Sequence, residues 1–373
     1  MDRRSPLVLV VAALALLLSG CSDDDPQTLD SGGDFTVRGA LGELPSSADG
    51  DGALIMVGDL DRATEVGDLD RPDDPTSEDA FSWVSAVSGS GSIEEPSRVF
   101  VPLPDSLGST GASPTDMDAV AGWSVLDVQT FVAQATPPDS LMVVSGDLGA
   151  GALADLPEVE DGIVTDVEGE DHAIDMDAGA LSRLGVPTRM AEDDGRIAVS
   201  PTTSLVRDWL DDEESFAEAN GDYADLADAL DAEDAYSAVL TEAGGIDPAG
   251  LLGEPVSPDQ VEERLQTAQE ALPDEAFGAV AIGWADDDGE PLVVTAYHFG
   301  SEDAAESSAD QVRELYESGI SVQSQTPFSE YFDVQDVSAD GEVVVVTSHV
   351  PDETAVGTAF QMLQSRDLIF TSR

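Results

Sequence analysis

The chain has 373 residues, with 78 Asp+Glu against 14 Lys+Arg and a formal net charge of -64 at pH 7. All 14 basic side chains are Arg, and a balance this acidic excludes a simple nucleic-acid binder, because neutralising phosphates takes clustered cations. The single Cys excludes an intrachain disulfide framework and a thiolate metal cluster, whereas 41% hydrophobic residues suffice for a packed core.

The chain opens MDRRSPLVLVVAALALLLSGC. Arg3 and Arg4 form a basic start, and Leu7 to Leu18 is an uninterrupted apolar run. The run falls short of the ~20 residues of a membrane-spanning helix and ends in small residues, so it reads as an export signal. Its ending, Leu18-Ser19-Gly20-Cys21, resembles the lipobox of bacterial-type lipoproteins. The resemblance implies a signal peptide over residues 1–20, cleavage after Gly20 and diacylglyceryl attachment to the Cys21 thiol. It further implies an extracytoplasmic protein, lipid-anchored to the cell membrane, with membrane lipid as its partner through acylated Cys21. Several acyl chains at one terminus make a stable anchor where one does not. Arg3-Arg4 suits either the general or the twin-arginine export route. Residues 21–52 are acidic and rich in Gly and Ser, which predicts a flexible tether.

A folded N-terminal lobe is expected over 53–215. Ala53 to Val57 is apolar enough for a buried strand. Ser77 precedes Phe81, Val84 and Val87 at helical spacing, which predicts a capped helix. Arg98 to Pro102 reads as a strand. Ser124, with Asp127 three residues on, predicts a helix through Val128, Phe131 and Val132 that stops at Pro137-Pro138. Leu141–Val144 and Gly195–Val199 read as strands, and Ser204–Leu210 as a helix. An acidic stretch from Asp211 to Asp234 marks a soft boundary near residue 215.

The C-terminal lobe is expected over 216–373, with the two lobes free to form one continuous domain. Tyr236–Leu240 reads as a strand. Ser257-Pro258-Asp259-Gln260 is a strong helix start, for a helix running to about Leu272. Two weakly repeated units follow. Ala276–Ala285, an acidic Gly turn and Pro291–Phe299 form a hairpin before a helix from Glu302 to Ser318. Tyr331–Val337, an Asp340-Gly341 turn and Glu342–Val350 form another before a helix from Glu353 to Ser365. Superposing His298 on His349 also superposes Glu302 on Glu353. Hairpins are antiparallel by construction. The predicted class is therefore α+β: a mainly antiparallel sheet of repeated strand-turn-strand-helix units, with helices packed on one face.

Candidate chemistry is sparse. Asp59, Asp61, Asp68 and Asp70 recur in two GDLDR copies but lack the spacing of a calcium loop. His172, His298 and His349 come without HExxH or a Cys pair, so no metal site is expected. His298 and His349, on comparable strand ends, have a chance of lying close together, but each is expected to cap a helix or pair with a local acid such as Glu302 or Glu353. Trp83, Trp123, Trp209 and Trp284 are expected in the core rather than on a sugar-binding platform. No nucleophile elbow, P-loop or dinucleotide-binding glycine pattern is present. No catalytic residue and no cofactor is expected, and lipid attachment at Cys21 is the one assigned site. The expectation is a non-catalytic binding or scaffold module of the cell envelope, its protein or small-molecule partner unspecified. A solute-binding component of an importer is the alternative, and a secreted hydrolase the second.

Overall fold

Alternation of large and small apolar residues along single strands sets the architecture. In Ala279–Asp287, Val280, Ile282 and Trp284 point into one buried cluster, while Ala279, Ala281 and Ala285 point into another. A strand with apolar residues on both faces must be covered on both.

A computed structural model describes residues 29, 35–48, 52–90, 97–108, 113–149, 151–175, 181, 185–211, 214–245, 266 and 269–373. The helices in it are α1 (Val37–Leu41), α2 (Leu60–Val66), α3 (Glu78–Val87), α4 (Pro114–Ala121), α5 (Thr203–Asp211), α6 (Phe216–Ala219), α7 (Gly221–Asp231), α8 (Glu302–Ser318) and α9 (Thr358–Gln364). The strands are β1 (Leu54–Asp59), β2 (Val128–Thr136), β3 (Asp139–Gly146), β4 (Glu158–Glu160), β5 (Ile163–Thr165), β6 (Arg189–Asp193), β7 (Arg196–Ser200), β8 (Ser237–Glu242), β9 (Gly244–Gly245), β10 (Ala279–Asp287), β11 (Glu290–His298), β12 (Asp333–Asp340), β13 (Val343–His349) and β14 (Thr371–Ser372).

One twelve-stranded sheet runs β12-β13-β11-β10-β8-β1-β2-β3-β7-β6-β5-β4, antiparallel at each pairing, and β14 and β9 form a short parallel pair beside it. The class is α+β with a mainly antiparallel sheet. β1 pairs with β2 on one side and β8 on the other, so the sheet crosses residue 215 without a break. The helices occupy both faces rather than one. Side chains of α2, α3, α4, α8 and α9 join an aromatic-rich core that includes Trp83, Trp123, Phe131, Trp284 and Tyr316. Side chains of α1, α5, α6 and α7 join an opposite core of Val, Leu and Ala.

Several expectations need correction. The stretch expected as a tether is folded over 35–48. Thr36 caps α1, and Val37, Leu41 and Leu44 are fully buried, because their spacing makes one apolar face that the acidic composition hides. The helix expected from Ser124 is a turn followed by β2. Asp127 accepts the Ser124 N–H and hydroxyl in that turn, and Val128–Thr136 then runs as a strand between β1 and β3. Residues 98–102 stay outside the sheet and lie against its aromatic side, where the Phe100 carbonyl accepts the Ser237 hydroxyl and the Val101 N–H donates to Val87. The last helix is shorter than expected, Thr358–Gln364. Residues 1–28, Cys21 included, and most of the helix expected over 257–272 lie outside the described residues.

The two C-terminal hairpins meet through their second strands. Leu292 pairs with His349, Thr295 with Val346 and His298 with Val343. Thr295 and Val346 thus mark a local two-fold axis, with each His three residues from it. Both lie on the face covered by α7, but at opposite ends of the strand pair, about 20 Å apart. They are not neighbours.

Candidate functional site

The site begins with how α7 seats on the sheet. Its Tyr223, Leu226, Ala227 and Leu230 recur at helical spacing and are buried. Below them, Ala281, Gly283 and Ala285 of β10 leave room for close approach. A Cβ on Gly283 would stand 2.9 Å from Leu230 Cδ2 and 3.0 Å from Ala235 Cβ. The far end of α7 is fixed by Asp231, whose carboxylate accepts the N–H groups of Val37 at 2.6 Å and Arg38 at 3.0 Å, at the start of α1. Burial pushes the Asp231 carboxyl up to about 6, against the opposing pull of those two N–H groups.

The near end of α7 carries Asp222 and Asp225 on its flank, directly over the end of β11. His298, the last residue of β11, is 2% exposed. Its Nε2 lies 3.4 Å from Asp225 Oδ2 and 3.5 Å from Glu342 Oε2, and its Nδ1 lies 3.8 Å from Asp222 Oδ2. Among the described residues Nε2 finds no hydrogen-bond partner. The ligand-type atoms of Asp225, His298 and Glu342 all fall within 4.8 Å of one another. Helix α7, strand β11 and the β12–β13 turn each supply one. The two carboxylates are about half exposed, so the cluster opens to solvent on one side.

Neither expected partner, Glu302 nor Glu353, meets its histidine; the acids come from elsewhere in the fold. His349 Nε2 lies 3.1 Å from Asp287 Oδ2 on a partly exposed edge. His172 meets Asp139 at 3.1 Å, beside a network in which Asp171 joins Arg189 to Thr203. Asp59 caps α2 by accepting the Arg62 N–H, and Asp61 pairs with Arg71, so the GDLDR copies serve a helix start and an ion pair. Trp83, Trp123 and Trp284 are buried. Trp209 instead borders a concavity of about 300 Å³ with Glu43, Asp193, Arg196 and Glu214. There Glu43 accepts two bonds from Arg196, at 2.7 and 2.6 Å, and the Leu29 N–H at 3.1 Å. Asp225 and Glu342 were missed from sequence. The only signals were two acids three residues apart on an amphipathic helix and an acid after an Asp-Gly turn.

No family model matches the chain, and no curated protein matches it. Among solved structures it is similar to TP0453. Crystal form III gives a TM-score of 0.37 at 10% identity, covering 86% of this chain and 98% of that one. Crystal form I gives 0.36 at 9% identity, covering 86% and 97%.

Proposed function

We propose that the protein is a membrane-anchored extracytoplasmic lipoprotein whose body is a non-catalytic binding or scaffold module of the cell envelope. The observation that carries this reading is the apolar run ending in Leu18-Ser19-Gly20-Cys21. Among the described residues no helix is long and apolar enough to cross a membrane.

One feature of the body bears on how such an anchor would act. Leu29 is buried against the core of α1 and α6, eight residues after Cys21. Eight residues span at most about 29 Å. An acylated Cys21 would therefore hold the α1 side of the sheet close to the membrane. Two of the hydroxyl–carboxylate pairs of the body are absorbed by local structure. Asp367 accepts the Ser321 hydroxyl and the N–H groups of Val322 and Leu368, and Asp127 closes the Ser124 turn. These two pairs brace the backbone, whereas the Thr202 hydroxyl donates to Asp139 Oδ1 at 2.5 Å and lies 3.2 Å from His172 Nε2, so that pair has a histidine beside it. The importer alternative rested on a lipid anchor and two suggested lobes; the described residues instead share one antiparallel sheet that runs across residue 215.

Expression in a bacterial host with labelled palmitate tests the anchor. The wild-type chain is expected to incorporate label and sediment with membranes, and Cys21→Ala to do neither. Equal membrane retention of both after signal cleavage would overturn the reading.

A further inference from the structure

We propose that His298, Asp225 and Glu342 form a binding site for one first-row divalent cation, of the Zn²⁺ type, that pins α7 to the end of β11 and to the β12–β13 turn. Clustered acids alone would not justify this in so acidic a chain. The independent observation is His298: it is 2% exposed, and its Nε2 faces both carboxylates without a hydrogen bond. A buried ring nitrogen is normally paired, and leaving it orphaned is costly.

The spacing fits a metal better than direct bonding. Hydrogen bonds from nitrogen to oxygen run about 2.7–3.2 Å, shorter than the 3.4 and 3.5 Å seen here. Two ligands held about 2.1 Å from a tetrahedral Zn²⁺ stand about 3.4 Å apart. Both separations match such an edge, and the two carboxylate atoms lie within 4.8 Å of each other. Asp222 faces the other ring nitrogen at 3.8 Å. That is beyond hydrogen-bond reach, but a negative charge there favours hydrogen on Nδ1 and leaves Nε2 free to ligate.

Charge supports the same assignment. Asp222, Asp225 and Glu342 are drawn together in a chain of net charge -64, at a cost in repulsion. A dication bound by two carboxylates and a neutral imidazole has a neutral ligand shell, and with Asp222 beside it the cluster falls from three negative charges to one. The imidazole selects against Ca²⁺ and Mg²⁺, which take oxygen ligands. Three protein ligands leave one position for water on the exposed side. Because the ligands come from three segments distant in sequence, the metal binds the folded state and stabilises it.

The test uses the full-length chain in detergent, with Cys21→Ser to remove its only thiol. After EDTA treatment it is dialysed against ZnCl2, or titrated with CoCl2 to read the visible absorption of tetrahedral Co²⁺. The expected result is one equivalent of Zn²⁺, which displaces Co²⁺ and raises the melting temperature. Asp225→Asn and Glu342→Gln alter half-exposed side chains and preserve shape, so the fold survives. Each is expected to weaken Zn²⁺ binding at least tenfold and to abolish the thermal shift. Asp118→Asn, at an exposed acid of α4, is expected to change neither. Zn²⁺ binding that is absent, or equal in wild type, Asp225→Asn and Glu342→Gln, would overturn the site. Saturable binding of Ca²⁺ in preference to Zn²⁺ would overturn the metal class. Membrane anchoring fails or holds independently of all these outcomes.

Discussion

The hairpins β10–β11 and β12–β13 are related by a local two-fold axis, yet they differ in what covers them. In the first, β10 lies between β11 and β8 and is buried on both faces, with Trp284 packed against Phe100 at 4.7 Å between ring centroids. In the second, β12 is an edge strand, exposed along most of its length. His298 lies under α7 among three carboxylates, whereas among the described residues His349, its counterpart, meets one, Asp287. Equivalent positions in a repeat thus acquire different chemistry from the layer laid over them. The hairpin sets where a side chain points, and the helix inserted earlier in the chain decides what it meets.

The largest expected contrast is in packing. Trp284 is fully buried and donates its indole N–H to the Val356 carbonyl at 3.0 Å. Trp284→Ala should cost about 3–5 kcal/mol, from lost apolar contact and an unfilled cavity. Val337→Ala on β12 should cost about 2 kcal/mol or less, since the edge can relax around it. Urea unfolding of both variants gives the comparison. Equal losses would mean that the edge hairpin is as well supported as the inner one.

The second contrast concerns the layer that covers the first hairpin. Asp231 ties α7 to α1 and has its carboxyl raised from 3.8 to about 6, chiefly by burial. Between these values the folded chain holds a proton that the unfolded chain has released. Stability from this group is therefore full below about pH 4 and lost as pH rises through about 6. Asp231→Asn has no such proton. The stability of wild type relative to Asp231→Asn should be greater at pH 4.5 than at pH 7.5, by on the order of 2 kcal/mol. Taking the difference cancels the repulsion among the remaining acids, which both chains share. Parallel stability–pH curves would show that the α1–α7 tie carries no buried charge.

How much of this was legible in sequence follows from the range of the forces. The hairpins and α8 were readable because an Asp-Gly turn and Ser301, the N-cap of Glu302–Ser318, act over a few residues. The turn at Ser124 was misread because an Asp three residues after a Ser makes a cap in one context and a closed turn in another. What followed, Val128–Thr136, is buried on both faces, and its short apolar run carries no helix-or-strand signature of its own. Helices on both faces were missed because the small residues Ala281, Gly283 and Ala285 read as weak hydrophobicity, whereas they form the floor that lets Leu230 approach. The cluster at His298 was beyond reach. Asp225 lies 73 residues before it and Glu342 lies 44 after it, and only the sheet order brings them together.

The smallest expected effect is the most discriminating for the comparison. His349→Gln removes one ion pair, 3.1 Å long, between side chains 29% and 58% exposed. Exposed pairs contribute little, because water screens them and two side chains must be ordered to form them. A loss of about 0.5 kcal/mol or less is expected from urea midpoints, shrinking further in concentrated salt. In the same chain Zn²⁺ binding should be unchanged, because one carboxylate and one imidazole do not make a site of three or four ligands. His298→Gln, at the equivalent position, should lose Zn²⁺ binding. If His349→Gln destabilised by more than about 1 kcal/mol, or weakened Zn²⁺ binding, the second hairpin would hold a buried or ligating histidine like the first. The difference assigned to the covering helix would then belong to the repeat itself.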